Sequence, residues 1–161
     1  MSRVKQFNKT LQKRVSKKTK ISRSDALNVI VKELRRAGKL VSCVLTDNNG
    51  FIIAEAAHPR DDRENLSALV GFIDNAGEKI DDYLSVGTIK LSCFITNNVT
   101  VLVQPIILPS SKEQYNLLAI QKKNVLENFP KSTLNLLGKD KNKLILLMDI
   151  ASKWIQKLCK D

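Results

Sequence analysis

The sequence holds a single histidine, His58, and three widely separated cysteines, Cys43, Cys93 and Cys159. Histidine and cysteine side chains supply most protein metal sites and much acid–base and nucleophilic catalysis. No Cys-x-x-Cys pair and no Cys/His cluster occurs here, so the sequence predicts neither a metal site nor a disulfide framework. We expect buried, reduced thiols, as in a protein of the cytoplasm.

Motifs that carry phosphate chemistry or catalysis are also missing. The stretch LLGKDK at 136–141 lacks the first glycine and the Ser or Thr of a phosphate-binding loop. The adjacent aspartates at 61–62 and at 81–82 suit helix ends, where they interact with the helix dipole. Ser67 and Cys93 have no base near them in the sequence. We therefore expect a protein that is not an enzyme and that holds no cofactor.

Long apolar runs are absent too. No stretch approaches the roughly 20 apolar residues that span a bilayer, and the N-terminal MSRVKQFNKT lacks the apolar part of a secretory signal. Aromatic residues make up only 5% of the chain, which argues against a surface that stacks nucleic-acid bases. The hydrophobic share of 43% nevertheless suffices for a core, and 161 residues fit one folded domain. We expect it in the cytoplasm.

Acidic residues are missing from the first 24 positions, although the whole chain contains 16 of them. Nine cations lie in that stretch, and the other 18 face all the acids, so the net charge of +11 comes mainly from this end. We divide the chain into a basic N-terminal arm, 1–23, and a folded domain, 24–161. An anionic surface would meet the arm through ten residues: Arg3, Lys5, Phe7, Lys9, Leu11, Lys13, Arg14, Lys17, Lys18 and Lys20.

The arm also carries an apolar pattern. Val4, Phe7, Leu11 and Val15 recur at three- and four-residue spacing, which is typical of an amphipathic helix. Such a helix can lie on an anionic membrane, dock on a partner or pack back on its own domain. The same pattern also arises by chance in a disordered tail. The sequence leaves these alternatives open.

Turn residues and apolar periodicity predict the first elements of the domain. Apolar positions predict a helix over 24–37, with Ser22 and Asp25 as a capping box. Gly38 then fits the position of positive φ that follows many helices. The tetrapeptide Asp-Asn-Asn-Gly at 47–50 separates the short apolar runs LVSCVLT and FIIAEAA, which predicts a tight antiparallel hairpin.

The rest of the domain continues with one helix, three strands and a final helix. Apolar spacing predicts a helix ending near Leu84, and TIKLSCFIT, VTVLVQPII and YNLLAIQKK predict strands. An extended segment, 123–142, precedes a C-terminal helix whose apolar stripe can pack on the core or receive a partner. The order α-β-β-α-β-β-β-α predicts an α+β sandwich, in which a five-stranded antiparallel sheet carries helices on both faces.

This order resembles that of roadblock-type domains, a superfamily with dynein light-chain roadblock proteins, endosomal scaffold subunits and bacterial polarity regulators. The resemblance rests on the helix at 24–37 and on VSCVLTDNNGFIIAEA, ENLSALVGFIDNAGEKI and TIKLSCFITNNVTVLVQPI. It covers residues 24–122 and extends to the final helix. Profilin-like and longin-like folds, which combine the same kinds of element, are the alternatives.

The resemblance implies a non-catalytic interaction module that binds and regulates or localises a small Ras-like GTPase. It also implies a dimer with a second copy or with a related roadblock protein, usually formed through the second helix of the domain and the third strand. An unpaired edge strand invites such pairing. The implied dimer interface on this chain consists of seven residues: Ala68, Gly71, Phe72, Asn75, Lys90, Ser92 and Phe94.

The basic arm supports two other functions. Polybasic segments are attracted to anionic leaflets, so the arm can recruit a scaffold to the periphery of a membrane. Lysine-rich arms also bind nucleic-acid phosphates without sequence preference. The low aromatic content ranks nucleic acid below the GTPase and the membrane as a partner.

Overall fold

The computed structural model describes residues 2–16, 21–58, 63–122 and 139–160. The predicted order of elements is confirmed, with a further helix at the N-terminal end. The elements are α1 (Arg3–Val15), α2 (Arg23–Gly38), β1 (Ser42–Asp47), β2 (Ile52–Ala56), α3 (Arg63–Leu84), β3 (Ser92–Ile95), β4 (Val99–Ile107), β5 (Gln114–Lys122) and α4 (Lys139–Leu158).

The five strands form one antiparallel sheet in the order β2-β1-β5-β4-β3, so β2 and β3 are its edges. The predicted hairpin joins β1 to β2. The Asp47 carboxylate accepts hydrogen bonds from the N–H groups of Asn49 and Phe51, both at 2.9 Å. Gly50 has a φ of 84°, which an L side chain rarely adopts. The turn chemistry read from the sequence is therefore the chemistry that closes this hairpin.

Helices cover both faces of the sheet, as predicted. On one face, α2 and α4 pack against strand residues such as Cys43 and Leu117. On the other face, α3 packs Leu66, Val70 and Ile73 against the side chains of β1, β4 and β5. Successive residues of a strand point to opposite faces, so β1 is apolar on both sides. This double coverage explains why its sequence does not alternate.

Helix α2 begins as predicted and ends differently. The Ser22 hydroxyl accepts a hydrogen bond from the Asp25 N–H at 3.0 Å, so this N-cap is confirmed. The positive φ after the helix belongs to Lys39, at 53°, and not to Gly38. Gly38 serves packing instead, because a Cβ there would lie 3.0 Å from Leu40 Cγ and 3.1 Å from Leu144 Cδ1.

Helix α1 packs on α2 and α4, which in turn pack on the sheet. Its Phe7, Leu11 and Val15 side chains are buried in the same core as those of α2 and α4. At the far end of the chain, Trp154 of α4 donates a hydrogen bond from Nε1 to Asn8 Oδ1 at 3.1 Å. In the structure, the apolar stripes of α1 and α4 both point inward.

Two predicted segments lie wholly or partly outside the described residues. Lys17, Lys18 and Lys20 of the arm fall outside, and so do residues 123–138 of the extended segment before the last helix. Helix α4 itself begins at Lys139, within the range that the sequence assigned to that segment.

Candidate functional site: the surface of α3 and β3

The residues predicted for an interface on α3 lie along its outward side. Ala68, Phe72 and Asn75 are exposed, and 70% of Phe72 is accessible to solvent. Their spacing of four and three residues puts them one turn apart along one stripe of the helix. Gly71 lies beside this stripe, and a Cβ built on it would meet nothing within 4 Å. The outer side of α3 therefore offers a small residue next to a large apolar one.

The other predicted residues lie at the β3 edge of the sheet. Among the strands of the described residues, β4 alone pairs with β3, which makes β3 an edge of the sheet. Phe94 is exposed, Ser92 is half-buried, and Lys90 is exposed just before the strand begins. An edge strand with accessible backbone groups and apolar side chains is suited to pairing with another strand.

Exposed apolar side chains are concentrated in this region. The described residues include eleven large hydrophobic side chains that are exposed, and seven of them lie between positions 72 and 95. Phe94 pairs with Val101 and faces the α3 side of the sheet, and its neighbour Ile95 faces the other side. A helix, the loop after it and an edge strand that together expose so many apolar side chains are unusual in a monomeric protein. We call this region the α3–β3 surface, and its apolar members are Phe72, Ile80, Tyr83, Leu84, Val86, Phe94 and Ile95.

Reasoning from the sequence missed some of these residues. Tyr83, 84% exposed, continues the outward stripe of Phe72 at helical spacing, a signal that was present in the sequence. Leu84 and Val86 gave no such signal. The apolar spacing of α3 placed Leu84 on its buried side, but the helix ends there and the side chain is 67% exposed.

An acidic cleft of about 230 Å³ lies between α3 and the sheet. Asp74, Glu78 and Asp81 line it from α3, and Ser92 lines it from β3, so the two elements lie side by side here. The Gln114 side-chain amide on β5 donates to Asp74 Oδ1 at 2.7 Å. Helix α3 as a whole carries five acidic and two basic residues, so this side of the domain is negative.

The candidate nucleophile Ser67 has a structural contact. The Ser67 hydroxyl donates to the Gly50 carbonyl, which ties the hairpin turn to α3. Within the described parts of the chain, no group of three or more His, Cys, Asp or Glu side chains could hold a metal ion. The geometry of this surface is suited to contact with another macromolecule.

The arm residues separate into two sets. Arg3, Lys5, Lys9, Lys13 and Arg14 are exposed. Phe7 and Leu11, by contrast, are 3% and 0% exposed, so in this conformation an anionic surface would meet the cations alone. Across the described ranges, no helix is both long enough and apolar enough to span a bilayer.

Arg14 is the cation that links α1 to α2. Its Nη1 lies 3.0 Å from Glu33 Oε1, and the same carboxylate lies 2.6 Å from Arg36 Nη2. Glu33 has a side chain that is only 8% exposed, and two guanidinium groups compensate its charge.

Comparison of the sequence gives no match: no model of a known protein family and no curated protein is similar to it. Comparison of the structure does give matches. MglB of Myxococcus xanthus is 15% identical over 81% of this chain and 92% of its own, with a TM-score of 0.61. An MglB structure with a tetrameric arrangement is 13% identical over 87% of this chain and 92% of its own, with a TM-score of 0.64.

The gliding protein MglB of Thermus thermophilus is 14% identical over 87% of this chain and 93% of its own, with a TM-score of 0.63. At such low identity, structural similarity shows the fold and leaves function open. The chain therefore has the roadblock-type fold that the order of its elements predicted, in the form seen in MglB.

Proposed function

We propose that the protein is a non-catalytic, dimeric interaction module that binds a small Ras-like GTPase and regulates or localises it. The observation that carries this proposal is the concentration of exposed apolar side chains on the α3–β3 surface. A surface of this kind marks a site of contact with another protein. The GTPase as the partner comes from the resemblance to roadblock-type domains.

In the proposed dimer, strand β3 and helix α3 each contact their counterpart in the other copy. Two copies of an edge strand can pair antiparallel and join the two sheets, which gives the backbone groups of β3 partners. The outward stripe of α3 then packs against its counterpart, and Gly71 leaves room for close approach. One related structure is an MglB in a tetrameric arrangement, so copies of this fold do assemble with one another.

In each copy of the dimer, the acidic cleft and the hairpin turn beside α3 would be held in a fixed position. Ser67 and the Gly50 carbonyl hold the turn against α3, and Gln114 holds Asp74. Binding groups that are held by packing and hydrogen bonds lose less entropy when a partner binds. We infer that the GTPase binds to this assembled surface.

The test is direct binding to the small Ras-like GTPases of the same organism, each purified and loaded with GDP or with a non-hydrolysable GTP analogue. We expect one GTPase to bind in one nucleotide state, with at least a tenfold preference, which corresponds to about 1.4 kcal/mol. The preferred state gives the direction of regulation. Isothermal calorimetry provides both affinity and stoichiometry.

Two variants make this experiment specific. Phe72→Glu places a charge on the α3–β3 surface, and Leu146→Glu places one at a comparably exposed apolar position on α4, across the sheet. GTPase binding should fall in the first variant and persist in the second. Equal binding of both nucleotide states, or no binding by any GTPase of the set, would refute the proposed partner.

A further inference from the structure

The outer side of α1 is strongly basic. The buried positions Phe7, Leu11 and Val15 define the inner side of the helix, and Lys5, Lys9 and Lys13 are exposed on the opposite side. A spacing of four residues puts these lysines about 6 Å apart along the axis. Helix α1 contains no acidic residue. Since α1 packs on α2 and α4, which pack on the sheet, this row of lysines lies on the outermost layer of the domain.

Cations of the two neighbouring helices flank this row. Arg36 of α2 lines a cleft together with Arg3 and Phe7, and Lys143 of α4 lines a second cleft with Arg3 and Val4. Lys157 of α4 has its Nζ 4.9 Å from the centre of the Trp154 ring, next to α1. Glu33, an acidic side chain at the contact of α1 with α2, is paired with Arg14 and Arg36, so these three groups together keep one net positive charge.

The opposite face of the domain has the opposite charge, because α3 carries five acidic and two basic residues. A molecule with a basic layer on one side and an acidic helix on the other is oriented by a negatively charged plane. The sequence shows only that cations are in excess at the N-terminal end. The separation of charge in the fold also determines which face of the domain would meet an anionic partner.

We propose that the outer face of α1, with the flanking cations of α2 and α4, docks on an anionic lipid bilayer while α1 stays packed on the domain. The contact is electrostatic, because the apolar side of α1 is occupied by the core. It differs in this respect from an amphipathic helix that inserts its apolar face among the lipids. Lipid headgroups form a plane and impose no fixed register, so cations spread over three helices can all contribute.

Two observations favour a bilayer over nucleic acid. The cations of this face are spread over α1, α2 and α4, which is better suited to a plane of headgroups than to the phosphates of one duplex groove. Trp154, the aromatic side chain next to this face, donates its N–H to Asn8 and lies under Lys157, which leaves it unsuited to stacking on bases.

The proposed dimer would double this basic layer. Antiparallel pairing of two β3 strands requires a two-fold axis perpendicular to the sheet, so both copies of α1 come to lie on the same side. This step rests on the proposed function, whereas docking of a single copy does not. A monomeric variant such as Phe72→Glu should bind vesicles more weakly and still depend on the lysines of α1.

The test uses the full-length protein and two kinds of vesicle, phosphatidylcholine alone and phosphatidylcholine with about 30 mol% phosphatidylserine, in about 0.1 M salt. We expect cosedimentation with the anionic vesicles only. The variant Lys5→Gln/Lys9→Gln/Lys13→Gln should bind about a hundredfold more weakly, since each cation near an anionic leaflet contributes a factor of about five. The matched control, Lys5→Arg/Lys9→Arg/Lys13→Arg, keeps the charge and should bind like the unmodified protein.

Trp154 is the single tryptophan and reports whether α1 stays in place, because its indole is hydrogen-bonded to Asn8 of that helix. Its emission should be the same with and without bound vesicles. A shift of the emission on binding would mean that α1 leaves the core, and this would overturn docking by the packed helix.

Three other results would also overturn the proposal. These are absence of binding to the anionic vesicles, equal binding by the glutamine variant, and tighter binding to a short DNA duplex than to the vesicles under the same conditions. The last result would assign the basic face to nucleic acid.

Discussion

Leu11 shows at the scale of one residue how burial assigns a role. It lies in the most basic part of the chain, yet its side chain is 0% exposed and packs in the core formed by α1, α2 and α4. Phe7, one turn earlier, is 3% exposed. Side chains so deeply buried stabilise the fold and are not available to a membrane unless the helix detaches.

Replacing Leu11 by alanine should lower the free energy of unfolding by about 2–5 kcal/mol, because it removes buried methyl groups and leaves a cavity. Urea denaturation followed by Trp154 fluorescence or circular dichroism measures this change. Gln12→Ala is the matched control, since Gln12 is exposed on the same helix and its loss should change stability by less than about 0.5 kcal/mol. A Leu11→Ala effect as small as that of the control would mean that α1 does not contribute to the core in solution.

The thiols of β1 and β3 show the contrast between a central and an edge strand. Cys43 lies on β1, which has a partner strand on each side and helices on each face, and its side chain is buried. Burial raises the pKa of the Cys43 thiol from its ordinary 9.0 to about 12, against the opposing effect of Arg35. Cys93 on the edge strand β3 is exposed.

In dilute native protein at about pH 8 we expect Cys93 to react quickly with a thiol reagent such as Ellman's reagent, because thiolate reactivity requires access and ionisation. Cys43 should react only as fast as the domain unfolds, so its rate should rise steeply with urea. The control variant Cys93→Ser should lack the fast phase. A fast phase that survives in the double variant Cys93→Ser/Cys159→Ser, in which Cys43 is the remaining thiol, would contradict the assignment of β1 as a closed central strand.

The raised pKa of the Cys43 thiol also makes the stability of the fold depend on pH. The folded state holds the Cys43 proton more tightly than the unfolded state does, so this contribution to stability is complete below about pH 9. It is lost as the pH rises from 9 toward 12, since only the unfolded state then releases the proton. In Cys43→Ala the fall in stability over this range should be shallower.

The whole molecule has two faces of different chemistry. The α3–β3 surface is apolar with an acidic helix beside it, and the α1 face is basic, with the sheet and two helices between them. This separation allows a dimer contact on one face and an anionic surface on the other without competition. A charged substitution on one face should consequently leave the residues of the other face able to bind, so Phe72→Glu should weaken vesicle binding only because the second copy of the basic layer is lost.

Self-association is the prediction that belongs to this scale. Sedimentation equilibrium should show a dimer at micromolar concentration, and Phe72→Glu should weaken the dimer by about thirtyfold or more, as expected for a central aromatic residue of an interface. The control Leu146→Glu should leave the dimer intact, because Leu146 lies on α4. Both substitutions replace exposed side chains and leave the core unchanged. At concentrations where the unmodified protein is monomeric, both variants should therefore unfold at the same urea concentration as the unmodified protein.

A monomer at high micromolar concentration in the unmodified protein would refute the dimer. Dissociation by Leu146→Glu, with Phe72→Glu unaffected, would instead place the contact on the helical face of α4.

The predictable parts of the fold were those fixed by neighbouring residues. Strand β4, Val99–Ile107, has the bounds that its sequence predicted, and the Asp47–Gly50 turn has the predicted chemistry. Strand β3 is shorter than the predicted 88–96, because a strand extends only where a partner lies opposite, and β4 pairs with Ser92–Ile95. Part of the candidate site was likewise predictable, since the outward stripe of α3 follows from helical spacing, whereas the exposure of Leu84 depends on where α3 ends against the sheet.

The sequence by itself determined the order of the elements, the hairpin turn, the N-cap of α2 and the excess of cations at the N-terminal end. Each of these depends on residues a few positions apart or on composition. Only the tertiary structure decided the position of α1, whose apolar side needed a partner that neighbouring residues do not provide. That partner is the surface of α2 and α4, and the bond between Asn8 and Trp154 joins residues 146 positions apart. With its apolar side covered there, α1 presents its lysines outward.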